Sequence, residues 1–153
     1  MGVGLFLGLI FHPKGGCSAR FMPTCAINLG GMSFAVDEFL KKTDLEATWV
    51  YRQKKMPKIT KNDRLGSGFF HIISDTEAKP ISFHVQEAIR FLAVHKSELK
   101  AAIKCGADDV RLLFIYHRKD QLEQTVYLPP KLLSLAVRLN VGIEITNVQP
   151  PAR

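Results

Sequence analysis

The stretch that decides the fold runs from Pro80 to Gly106, PISFHVQEAIRFLAVHKSELKAAIKCG. Val85, Ile89, Leu92, Leu99 and Ile103 recur at three-, four- and seven-residue steps, while Arg90, Lys96, Glu98, Lys100 and Lys104 fall mostly elsewhere on the wheel. That spacing predicts one long helix, opened by Pro80 and Ser82 and closed by Gly106 in a left-handed cap. Burying each of those five side chains contributes about 1.5 to 3 kcal/mol, so the helix needs a broad apolar surface to lie on. The next segment supplies one. Asp109 to His117, DVRLLFIYH, is almost continuously apolar and reads as a strand at the centre of a sheet.

Upstream of this pair, Thr24 to Leu29 (TCAINL) is strand-like and is expected to break at Gly30 and Gly31. Ser33 suits an N-cap, with Asp37 and Glu38 at the positive end of a short helix that turns Phe34, Phe39 and Leu40 inward. Ala47 to Tyr51 and Gly68 to Ile73 are further strands, rich in aromatic and β-branched residues. Downstream, Arg118 to Gln121 forms a turn and Thr125 to Leu128 (TVYL) a returning strand. Pro130 then starts a helix with Leu132, Leu133, Ala136 and Leu139 as its buried stripe and Asn140 at its end. Val141 to Val148 alternates as a half-buried last strand.

Crossovers through helices imply parallel pairing, and a tight turn between Phe114 and Val126 implies antiparallel pairing. The expected fold is α+β: a two-layer sandwich with a mixed, mainly antiparallel sheet and about three helices, related to ferredoxin-like folds. A chain of 153 residues suits one core. Residues 21–153 are read as a single α+β domain, and residues 1–20 as an apolar N-terminal extension.

Within that extension, Val3 to Phe11 (VGLFLGLIF) is too short to span a bilayer and lacks a basic start and a cleavage pattern. It reads as a strand, with Leu5, Leu7, Leu9 and Phe11 as candidate dimer contacts. Cys17, Cys25 and Cys105 are odd in number with no CxxC spacing, which suits a reducing cytoplasm and small buried side chains.

Lysine and arginine number 21 against 14 acids, a net charge of +7. Such a field favours anionic partners: nucleic acid, acidic protein or another anionic ligand. Arg52, Lys54, Lys55, Lys58, Lys61 and Arg64 crowd one segment against Asp63 alone. With Trp49, Tyr51, Phe69 and Phe70 nearby, they are the candidate nucleic-acid contacts. His84 and Glu87, with His71 and Asp75, are the candidates for acid–base or metal chemistry, but the second histidine of a helical zinc motif is missing. His95 reads as a partly buried core residue, and Gly30 and Gly31 lack the rest of a phosphate loop. No catalytic set and no cofactor or metal site is assigned.

One likeness spans Phe21 to Val148. It rests on the strand ending near Leu29, the helix after Gly31, the basic segment up to Gly66, the aromatic pair Phe69 and Phe70, the helix Ser82 to Gly106, and LPPKLLSLAVRLNVGIEI from Leu128 to Ile145. In these features the chain resembles a family of small bacterial domains, domain of unknown function 4279. The resemblance implies a stand-alone binding protein from accessory or mobile genes, akin to immunity proteins encoded beside toxins. It carries no functional residue across. The expectation is therefore a non-enzymatic, cytoplasmic binding protein acting as a homodimer. Nucleic-acid binding through residues 52–64 is the first alternative, and a small-molecule or hydrolytic site at His71 or His84 the second.

Overall fold

A computed structural model describes residues 24–52, 66–76, 79–117 and 125–148. Strand β1 (Cys25–Gly31) leads through helix α1 (Val36–Leu40) to β2 (Trp49–Tyr51) and β3 (Ser67–Ser74). Helices α2 (Ile81–Val94) and α3 (Lys96–Lys104) follow, then β4 (Asp109–His117), α4 (Pro130–Arg138) and β5 (Gly142–Val148).

The strands form one mixed sheet in the order β2-β3-β1-β4-β5. β1 is antiparallel to both β3 and β4, and β2 to β3, while β4 and β5 are parallel. The first four strands thus repeat the β-α-β-β-α-β connectivity and strand order of ferredoxin-like sheets, and α4 with β5 extends the β4 side. The class is α+β, as the residue patterns require.

Alternation along the strands sorts the core. Cys25, Ile27 and Leu29 of β1, Phe69 of β3, and Val110, Leu112 and Phe114 of β4 face the helices. They meet Phe39 of α1, Val85, Ile89 and Leu92 of α2, Leu99 and Ala102 of α3, and Leu132 and Ala136 of α4 in one continuous cluster. Ile103, expected in the same stripe, is only partly buried at its margin.

Five expectations are corrected. The long helix is two helices, broken at His95, whose φ of −98° and ψ of 32° are not helical. Unbroken, it would run roughly 36 Å at about 1.5 Å per residue, longer than the strands beneath it; the bend instead turns α3 onto α1. The segment Thr125–Leu128 is not a strand. Both edges of β4 are taken, by β1 and by β5, so no hairpin return can pair there. The sheet centre is β1, not the LLFIY segment, which lies one strand further out. Gly30 and Gly31 do not break β1, because they pair with Gly68 and Ser67. Ser33 is not an N-cap: α1 begins after Ala35, whose N–H donates to the Cys105 carbonyl at 2.8 Å.

The terminal signals of the other helices hold. Gly106, at φ +94°, closes α3 with its α-carbon against the Ser33 carbonyl, where any side chain would collide. Pro130 occupies the first turn of α4, and Asn140, at φ +55°, ends it.

Candidate functional site

Helix α4 is more apolar than its packing needs. Leu132, Ala136 and Leu139 point into the core, which uses one side of the helical period. Leu133 and Val137, one turn apart, fall on the other side and are 44% and 80% exposed. Tyr127, in the segment leading into the helix, is 72% exposed. Lys131 and Arg138 are exposed on the same helix. The outcome is an exposed apolar pair on a helix whose cations lie further round, past Ser134. The expected stripe placed Leu133 inside; it is outside because Leu132 already fills that level of the core. The signal was present in LPPKLLSLAV, which holds more large apolar residues than one buried face can use.

Away from the helices, a polar network crosses the sheet. The Arg111 guanidinium grips Asp109 through Nε and Nη2 (Nη2–Oδ2 2.6 Å) and Glu144 of the neighbouring strand through Nη1 at 2.9 Å. The hydrogen bonds it donates to Asp109 raise its pKa further. Its fork is thereby saturated with carboxylates and joins β4 to β5 rather than offering itself to an anion. Beside it lies an open depression lined by Asp108, Asp109, Arg111, Asn140, Gly142 and Glu144. The Tyr51 hydroxyl donates to Asn28 Oδ1 at 3.3 Å, and burial pushes its pKa up.

The sequence-derived candidates do not converge on one centre. Of the basic set, Arg52 is described, and its guanidinium pairs with Asp37 at 2.7 Å, holding that carboxyl below its ordinary range. Lys54, Lys55, Lys58, Lys61 and Arg64 lie outside the described residues, as do Leu5, Leu7, Leu9 and Phe11. Positive and negative side chains are nearly balanced among the described residues, so most of the +7 falls elsewhere, with the largest block at 53–65.

His71 Nδ1–H donates to the Glu46 carbonyl at 2.7 Å, and its ring stacks on Phe91 at 5.4 Å. His84 is fully buried, with Nδ1 2.7 Å from Ser74 Oγ and no hydrogen bond at Nε2. Burial lowers its pKa, against the pull of the Thr76 and Lys79 backbone and of Glu87. Glu87 itself binds Arg90 at 2.8 Å, and Asp75 is exposed beyond β3. Among the described residues no carboxylate hydrogen-bonds to either His71 or His84, so neither forms an acid–base pair. His95 is half-buried, 3.3 Å from Glu98. Cys25 is buried and its thiol pKa is raised by burial and by Glu87, which disfavours the reactive thiolate; Cys105 is half-buried.

Among the described residues, no group of three or more potential ligands can hold a metal ion, and no helix is long and apolar enough to cross a membrane. The chain matches no family model, no curated protein and no solved structure.

Proposed function

We propose that the protein is a non-catalytic, immunity-like binding protein that grips an acidic protein partner through the outer side of α4 and the segment before it. One observation carries this reading: Tyr127, Leu133 and Val137 stand exposed, with Lys131 and Arg138 exposed further round the same helix, although its core side is complete. Exposed apolar groups on an element that also presents cations suit a partner with apolar anchors and an acidic rim, and the net charge of +7 hastens its approach. The resemblance read from the sequence, which no family model matches, would make that partner a toxin.

The test is co-expression with the products of adjacent genes. A stoichiometric complex should form with the wild-type chain and be lost in Leu133→Asp/Val137→Asp, with circular dichroism unchanged. A complex that survives this double substitution overturns the reading.

A second reading is nucleic-acid binding through Arg52, Lys54, Lys55, Lys58, Lys61 and Arg64, favoured by the concentration of surplus positive charge in 53–65. It requires affinity for a single-stranded oligonucleotide that falls steeply with salt. The salt slope should shrink when Lys54, Lys55 and Lys58 become alanine. Equal binding by that triple variant counts against it.

A further inference from the structure

The sheet has a second apolar face. Ala26, Phe70 and Leu113 pack there against Ile72, and every one is a strand residue. The buried apolar side chains of α1, α2, α3 and α4 all belong to the opposite cluster. Even so, Phe70 is only 1% exposed, and Ala26, Leu113 and Ile115 are buried beside it. A pleated sheet cannot do this alone: outward side chains on an uncovered face remain in contact with water. Water is therefore excluded by some other part of the same chain.

The chemistry of the remaining sequence narrows the choice. Residues 12–23 read HPKGGCSARFMP with Lys14 and Arg20, 53–65 are basic, 77–78 are Glu and Ala, 118–124 read RKDQLEQ and 149–153 read QPPAR, whereas Val3 to Phe11 reads VGLFLGLIF. Only the last can replace water over phenylalanine and leucine without burying unpaired charge. We propose that Val3–Phe11 lies across this second face in the same chain, as its apolar cover over Phe70, Ala26 and Leu113.

The dimensions allow it. Extended, this segment reaches roughly 30 Å at about 3.3 Å per residue, and strands spaced about 4.8 Å apart make the sheet roughly 20 Å wide. The connection through residues 12–23 extends to about 40 Å, ample to return to the start of β1. This inference concerns a different face from the α4 strip and stands or falls separately from it.

The protein carries its own reporter. Trp49 is the chain's single tryptophan, 36% exposed at the rim of this face, with its ring 5.0 Å from that of Phe70. In the full-length chain, Leu5→Asp/Leu7→Asp/Leu9→Asp should move Trp49 emission to longer wavelength and raise its quenching by acrylamide, with helical dichroism retained. The milder Leu7→Ala should shift both readings less, in the same direction, and covers the case in which the triple variant fails to fold. Wild-type light scattering should give the mass of one chain, with Trp49 equally protected at all concentrations. Unchanged Trp49 emission and quenching in a folded triple variant, or in Leu7→Ala, overturns the proposal. So does a dimer whose dilution exposes Trp49, because the cover is then a second copy.

Discussion

Burial without a second hydrogen bond makes His84 sensitive to acid. Its ring is held neutral in the fold, while in the unfolded chain it takes up a proton near pH 6.5. Below that pH the unfolded state binds more protons than the native one, so stability falls as pH drops from about 7.5 to 5.5, and the loss levels off once the native ring is also protonated. Urea midpoints across this window should decline for the wild type and decline less for His84→Leu. A second residue-scale prediction concerns Gly68. A Cβ there would run into the Tyr51 ring, so Gly68→Ala should destabilise by about 1–3 kcal/mol. The loss should be smaller in a Tyr51→Ser background, measured as a double-mutant cycle in urea.

At the scale of an element, α4 offers a contrast between adjacent leucines. Leu132 is fully buried, so Leu132→Ala should cost about 2–5 kcal/mol, whereas Leu133→Ala should stay within about 0.5 kcal/mol. Thermal or urea unfolding of the two variants checks this directly. The same helix shows why its outer strip was hard to read. Periodicity places 132, 136 and 139 on one side, but it does not say which of two neighbouring leucines the core has room for. Local signals were otherwise reliable: Gly106, Pro130 and Asn140 each do what their backbone chemistry predicts. What failed were features set by distant partners. The break at His95 answers to sheet length and to α1, and TVYL has ample β-propensity, but β4, the strand it was expected to return to, is already paired on both sides. The scattered histidines illustrate the same limit, since three-residue spacing says nothing of Ser74, which arrives from β3.

Across the whole molecule, charge and structure are segregated. The described residues are nearly neutral in sum, and the largest cationic block sits between β2 and β3. Replacing Lys54, Lys55 and Lys58 with alanine should therefore lower the salt needed to elute the protein from a cation exchanger while leaving its unfolding midpoint unchanged. The Arg111 fork belongs to this scale too, since it ties β5 to the four-stranded part of the sheet. Its partners Asp109 and Glu144 are partly exposed, so Glu144→Gln should cost no more than about 1 kcal/mol.

The parallel pairing of β5 with β4 gives the molecule a graded order of opening. β5 touches the sheet along one side only and reaches it through α4, so it can detach without breaking the pairing of β1 with β3 and β4. Under native conditions its amides should exchange deuterium together with those of α4, while β1, bonded on both sides, holds its protons until the entire chain unfolds.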